Sequence, residues 1–269
     1  MPPPLPPVRR GFVDTQDGQI HYRAAGLASS SRLPLICFHQ SPISSLYYEE
    51  ILPYLGAERP AIAMDTPGFG ESFRPKAKPT LPDYAGWLYK AIAALGYRRF
   101  DVMGTFTGAG IAADMAMRWP DAVRRLVMIG PPYFTEAKPN VAPWPTPPVP
   151  DGSHMMVEWK KMMLDPAKAE VPFDRRWELY RELWRGGADA IWGEEAVTAY
   201  NLKDTLPHVR QSTLAIQPDS LRADVGVAVK ALPNAKLVRL EGVKPYTILQ
   251  LIPERLATIV NGFLDSAGD

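Results

Sequence analysis

Short runs of aliphatic and β-branched residues alternate with helical periodicity between residues 18 and 130. This is the habit of strand-helix-strand units that build a largely parallel sheet. The runs are Gln19-Ile20-His21-Tyr22-Arg23, Pro34 to Phe38, Ala61 to Met64, Phe100 to Met103 and Leu126 to Ile129. Between them, apolar residues three and four apart predict helices over Tyr84 to Leu95 and Ala109 to Arg118, the second ended by Trp119-Pro120. After Pro131-Pro132-Tyr133-Phe134 the pattern breaks at a stretch containing Pro139, Pro143, Pro145, Pro147, Pro148 and Pro150, which no regular element tolerates and which reads as a linker or lid. Residues 153 to 204 regain helical periodicity, with Trp159, Met162, Met163, Trp177, Tyr180, Leu183 and Trp184 on apolar faces. Strand character returns at Thr213 to Ile216 and Lys236 to Leu240, and a last helix is predicted from about Pro253 to Leu264. There is no internal repeat.

Composition narrows the partners. With Lys+Arg 30 against Asp+Glu 29, no whole-molecule field draws in nucleic acid or an anionic membrane, so a small neutral or weakly charged partner is expected. The single cysteine, Cys37, lies in the apolar run Leu35-Ile36-Cys37-Phe38, so neither a disulfide framework nor a cysteine metal site is available, and a reducing compartment fits. The start, Met1-Pro2-Pro3-Pro4-Leu5-Pro6-Pro7, lacks a secretory apolar region and no run is long enough to span a bilayer. A cytoplasmic location, as monomer or homodimer, is the expectation. No His, Asp and Glu cluster has ligand spacing, so neither metal nor other cofactor is expected.

Three motifs occur in a telling order: Phe38-His39-Gln40-Ser41-Pro42, then Asp65-Thr66-Pro67-Gly68-Phe69-Gly70-Glu71-Ser72, then Gly104-Thr105-Phe106-Thr107-Gly108 between a strand and a small-residue helix. On these residues the chain resembles the α/β-hydrolase superfamily from about residue 11 to residue 265. The first motif resembles the His-Gly-x-Pro loop that supplies half of an oxyanion hole, the second the Asp-x-x-Gly-x-Gly-x-Ser turn, the third the nucleophile elbow. The resemblance implies a mostly parallel eight-stranded sheet with flanking helices and a helical cap. The core would be residues 1–134 and 206–269, and the cap residues 135–205, where five of the seven tryptophans (Trp144, Trp159, Trp177, Trp184, Trp192) fall.

The positions that carry the superfamily's chemistry are altered. Gly104 and Gly108 supply the small residues that a sharp elbow needs, but the central residue is Phe106, which has no nucleophilic atom. Centring the motif on Thr107, with Thr105 and Ala109 at the small positions, is the alternative register. The segment Glu241-Gly242-Val243-Lys244-Pro245-Tyr246-Thr247-Ile248, with Pro253-Glu254 behind it, occupies the place of the catalytic histidine and contains none. Tyr246 matches the base position and Lys244 is the nearest other titratable side chain. Asp219 is the carboxylate closest to the acid position, where a turn or helix-capping role is an equal expectation. Of the four histidines, His39 belongs to the oxyanion loop, where a structural role is expected; the others are His21, His154 and His208.

Losing nucleophile and base together argues against serine-type acyl transfer, since loss of any one triad member leaves roughly 10³ to 10⁴-fold acceleration over water. The remaining parts suit a reaction that develops negative charge on a carbonyl oxygen, with the amides of Ser41 and Thr107 as the implied donors. The expected catalytic set is therefore Tyr246, Ser41, Thr107 and Lys244. Phe106, Thr105, His39, Gln40, Tyr133, Trp144, Trp159 and Asp219 are the expected substrate contacts. A cofactor-free, non-hydrolytic enzyme (lyase, isomerase or cyclase) acting on an apolar or aromatic carbonyl compound is the first expectation. A catalytically inactive binding protein and a hydrolase that uses activated water are the alternatives.

Overall fold

The computed structural model describes residues 4–26, 31–133, 144–219 and 225–266. Residues 1–3 of the N-terminal proline run lie outside them, as do Phe134, Pro139 and Pro143 around the proline-dense stretch and residues 220–224 of the segment after Asp219.

Eight strands form one sheet: β1 (Arg9–Asp14), β2 (Gln19–Ala25), β3 (Leu35–Phe38), β4 (Ala61–Met64), β5 (Phe100–Thr105), β6 (Val123–Ile129), β7 (Ser212–Pro218) and β8 (Ala235–Leu240), in the order β1-β2-β4-β3-β5-β6-β7-β8. The β1-β2 and β2-β4 pairs are antiparallel, and every pair from β4 to β8 is parallel. Every residue of β3, β4 and β5 is buried, which is why these strands read as unbroken apolar runs and not as alternating ones. Cys37 sits among them, fully buried, and burial pushes its thiol well above the ordinary range.

Helices cover both faces. Leu81–Ala94 starts at a capping box in which the Thr80 hydroxyl accepts from the Asp83 amide and the Asp83 carboxylate accepts from the Thr80 amide. It packs with Thr107–Arg118 on one face through Leu88, Ile92, Ile111 and Met115. Pro253–Asp265 covers the other through Leu256, Val260 and Leu264, against Leu52 and Leu55. Among the described residues no helix is long and apolar enough to cross a membrane.

Between β6 and β7 lie the helices Ser153–Met163, Phe173–Glu182 and Trp192–Ala199 with shorter turns. Their aromatic faces close on one another: Trp159 contacts Phe173, Trp177 and Tyr180, and Tyr180 contacts Trp184. Polar ties dock this segment on the connection between β3 and β4. Arg175 donates to the Leu46 carbonyl at 2.7 Å and to Glu50 at 2.8 Å, and Ser44 donates to Glu182 at 2.6 Å.

The strand order reverses between β3 and its two parallel neighbours, β4 and β5. Ligands of open parallel sheets bind in the crevice at the carboxyl ends of strands flanking such a point. The loop after β3 and the turn after β5 both emerge there.

Candidate functional site

Backbone contact shapes the turn after β5. A Cβ on Gly104 would overlap the Gly108 carbonyl, and one on Gly108 would overlap the Phe38 carbonyl, so strand, helix and the β3 loop meet with no room for side chains. The chain reverses at Phe106, whose φ of 49° and ψ of −110° make it the one non-glycine residue at positive φ among the described residues. Its amide donates to the Ile129 carbonyl at 3.0 Å, and its carbonyl accepts from Ala109 and Gly110. This strained reversal is centred on Phe106 and not on Thr107, which is the first residue of the following helix.

Tyr246 arrives from the other edge of the site. After β8, Gly242 turns the chain at φ 75°, and Pro245–Thr247 forms a short helical turn. Asp219, at the end of β7, holds that loop: its carboxylate accepts from the Gly242 amide at 2.6 Å, and its own amide donates to the Val243 carbonyl at 2.8 Å. The Tyr246 ring then stacks on Phe106, centres 5.1 Å apart and planes at 17°. Trp144 meets it edge-on at 6.4 Å, and Lys168 Nζ lies 5.9 Å from its ring centre.

The loop after β3 is held by His39 and by Asp65 of the second motif. The His39 Nδ1–H donates to the Gln40 carbonyl at 2.8 Å, and Nε2 accepts from the Thr66 amide at 2.9 Å, so both ring nitrogens are occupied and the imidazole is neutral. Burial lowers its pKa further below the usual value. The Asp65 carboxylate accepts from His21 Nδ1 at 2.8 Å, the Ser45 amide at 2.7 Å and the Glu71 amide at 2.9 Å. Burial alone would raise its pKa, but these donors, His21 foremost, bring it down to about 2.

A cavity of about 550 Å³ opens beneath the helical segment. Its floor is Gln40, Ile43, Tyr47 and Tyr246, and its roof includes Trp144, Met162, Leu179, Leu183, Glu158, Glu194 and the lysines Lys161 and Lys168. Glu158 is fully buried and accepts from Trp144 Nε1 (2.7 Å), the Thr146 amide (3.0 Å) and hydroxyl (2.6 Å), and Lys161 (2.8 Å). Burial works to raise its pKa, yet the Lys161 and Thr146 bonds hold it below the ordinary carboxylate value. Glu194 is the contrast. It accepts from the Trp144 amide at 2.9 Å, and burial, helped by the charges of Glu158 and Glu195, raises its pKa against that bond and Lys161.

The expected site residues thus divide. Tyr246, Gln40 and Trp144 line the cavity, and Phe106 touches it through the Tyr246 stack. Ser41 and Thr107 are buried outside its wall; Gly193 of the overlying helix sits against Ser41 so closely that a Cβ there would overlap the Ser41 hydroxyl. Thr105 and Tyr133 are buried in the core, Trp159 belongs to the aromatic cluster of the helical segment, and Lys244 is exposed and away from the cavity. His39 and Asp219 hold loops. Tyr47, Glu158, Glu194 and Lys168 were not expected from the sequence. They converge only in three dimensions, from a short turn after β3 and from helix faces that read as ordinary solvated charge. Among the described residues no group of three or more His, Cys, Asp or Glu could hold a metal ion.

Comparison with known proteins gives the same architecture. Residues 34–160 match the family model described as alpha/beta hydrolase fold. A 2-hydroxymuconate semialdehyde hydrolase of Pseudomonas sp. (strain CF600) is 34% identical over 108 residues, 38% of this chain and 38% of that protein, so the match spans well under half of the relative's length. Two solved structures superpose over nearly the whole chain: an enol-lactonase from Burkholderia xenovorans LB400 (TM-score 0.76, 16% identity, 95% of this chain and 100% of that one), and a meta-cleavage product hydrolase from Pseudomonas fluorescens IP01 (TM-score 0.77, 18% identity, 96% and 98%).

Proposed function

From the α/β-hydrolase fold that this chain adopts, we propose that residues 135–205 cap a cavity for a small apolar or aromatic carbonyl compound, hydrolysed there by water without a covalent intermediate or a cofactor. The observation that carries this reading is the Phe106–Tyr246 stack. Where this fold presents a nucleophile to its base, two aromatic rings lie face to face, so the triad is degenerate and attack must come from another group.

Glu194 supplies a base. A carboxylate whose pKa is raised by burial is a stronger proton acceptor than an ordinary one. It would take a proton from a water in the cavity as the water oxygen bonds to the ligand's carbonyl carbon. The developing oxyanion would then accept a hydrogen bond from the Tyr246 phenol on the facing wall. The tetrahedral intermediate then collapses by breaking the bond from that carbon to the leaving oxygen or carbon, which takes the proton back from Glu194 and leaves a carboxylic acid. Trp144 touches both residues, its amide on Glu194 and its ring on Tyr246, and so sets their spacing. Lyase, isomerase or cyclase chemistry could use the same donors, but the hydrolase and lactonase names of the relatives weigh toward water as the attacking group. A purely binding role is the second reading, favoured by the same stack, which covers the elbow with apolar surface.

The test is hydrolysis of a panel of aryl esters, enol lactones and vinylogous 1,5-diketones by the native protein and by Glu194→Gln. Turnover that falls at least about 100-fold in the variant while ligand affinity stays within about threefold supports the proposal. Undiminished turnover in Glu194→Gln overturns it, and binding without turnover in the native protein selects the binding role.

A further inference from the structure

Two buried polar groups in the cavity floor have no partner. Tyr47 is 1% exposed and its hydroxyl makes no hydrogen bond, and Gln40 is 2% exposed with its side-chain carbonyl Oε1 equally unbonded. Both residues line the cavity. A buried polar atom left unpaired is destabilising, so such atoms on residues that line a mostly apolar cavity point to something that enters it.

The frame around them is rigid. Tyr47 stands in the short turn Ser45–Tyr48, capped by the Ser44 hydroxyl on the Leu46 amide; its ring packs edge-on against Tyr48, and its carbonyl accepts from Gln250 at 2.9 Å. The Gln40 carbonyl accepts from the Ile43 amide and from His39, which fixes the backbone from which its side chain projects. The carbonyl-hydrolysis reading above leaves open what distinguishes the compound. These two residues answer that question and rest on that reading.

We infer that Gln40 and Tyr47 form a polar seat for a ligand carbonyl that carries an N–H or O–H beside it, as in a carboxamide or a hydroxycarbonyl group. The chemistry is complementary. The Tyr47 hydroxyl donates to the ligand carbonyl oxygen, and the Gln40 side-chain carbonyl accepts from the adjacent N–H or O–H. If the Gln40 amide is turned the other way, its NH2 donates to the ligand carbonyl and the Tyr47 hydroxyl, which can also accept, takes the adjacent N–H or O–H. The Met162, Leu179 and Leu183 side chains opposite accept the apolar remainder. A simple ketone would satisfy Tyr47 alone, and a hydrocarbon neither group.

The experiment uses the full chain and two probes, 2-naphthamide, with donor and acceptor, and 2-acetylnaphthalene, with acceptor only. Their affinities are measured by calorimetry for the native protein, Tyr47→Phe and Gln40→Leu. The native protein is expected to bind 2-naphthamide about tenfold more tightly. Tyr47→Phe should weaken both probes about tenfold, and Gln40→Leu should abolish the preference. A second measurement needs no ligand: removing an unpaired buried hydroxyl should raise the melting temperature of empty Tyr47→Phe by about 2–4 °C. Affinities unchanged in both variants, or a lowered melting temperature in Tyr47→Phe, overturn the seat while leaving the hydrolase reading intact. Failure of both probes to bind the native protein at millimolar concentration overturns the small-carbonyl reading and the seat with it.

Discussion

Phe106 and Tyr246 lie ring on ring, 5.1 Å apart and 17° from parallel, although one ends the fifth strand and the other follows the eighth. The contact joins two sheet-edge loops and covers a backbone reversal that is costly for any side chain, on the order of 1–3 kcal/mol. Replacing Phe106 separates the two effects. Phe106→Ala keeps the strained φ and loses the ring, whereas Phe106→Gly loses the ring and relieves the strain. Urea unfolding should place Phe106→Ala about 1–2 kcal/mol below Phe106→Gly, and equal stabilities would show that the turn is relaxed.

The roles proposed for the Tyr246 hydroxyl and for its ring can be separated. Tyr246→Phe should retain the stack and unfold within about 0.5 kcal/mol of the native protein, yet lose turnover by roughly 10-fold or more through loss of the oxyanion donor. Asp219→Asn keeps an oxygen for the Gly242 amide and should disturb turnover less. Kinetics and melting curves on the two variants check both statements, and a greater loss in Asp219→Asn would remove Tyr246 from the mechanism.

Fluorophosphonate serine probes should leave the native protein unmodified, because the elbow residue carries no hydroxyl and the base position no imidazole. Mass spectrometry of the intact chain reads the result. Stoichiometric adducts on Thr105 or Thr107 would contradict the present placement of the turn.

Two carboxyls give opposite pH signatures. Asp65 is depressed to about 2 in the folded chain, so its contribution of about 2 kcal/mol is fully present above the unfolded value near 4 and is lost as pH falls from about 4 to 2. Asp65→Asn should be destabilised at pH 7 and should show a shallower loss of stability over that acid window. Burial raises the pKa of Glu194, so turnover should fall as pH drops through a point higher than for an ordinary glutamate, and Glu194→Gln should flatten that limb.

Gly104→Ala should cost about 2–4 kcal/mol, since the new methyl meets the Gly108 backbone, which cannot move without displacing the Phe38 and His39 carbonyls. Gly262→Ala, where a Cβ meets nothing within 4 Å, is the matched control and should be neutral or slightly stabilising. Chemical denaturation of both variants gives the comparison.

Most of the sheet was legible because its central strands are buried on both faces and write themselves as continuous apolar runs between glycine-bearing turns. β1 was not: four of its six residues are exposed, and Arg9-Arg10-Gly11 carries no alternation that would mark an edge strand. The elbow was legible because Gly104 and Gly108 answer a steric demand that holds whatever stands between them. The cavity was harder. Ser41 and Thr107 are the implied oxyanion donors, yet the helix bearing Gly193 presses on Ser41 and the open volume lies to either side of it along the loop, at Gln40 and Tyr47. Packing of the segment between β6 and β7 decides that displacement, and residues there such as Glu158 and Glu194 follow only a solvated helical pattern until tertiary contact buries them.

Cys37 lends itself to a practical use. It is the only thiol in the chain, centred in the sheet interior with no exposed surface. A thiol reagent can reach it only when the layer that covers that face of the sheet comes away, so its modification rate is a clock for opening of the core. A cysteine placed on the covered face of the segment between β6 and β7, at Leu183 for example, would react when that segment lifts and before Cys37 does. One molecule can thus carry a fast reporter of that segment's movement and a slow reporter of global unfolding, each read in the same tube by the time at which mass is gained.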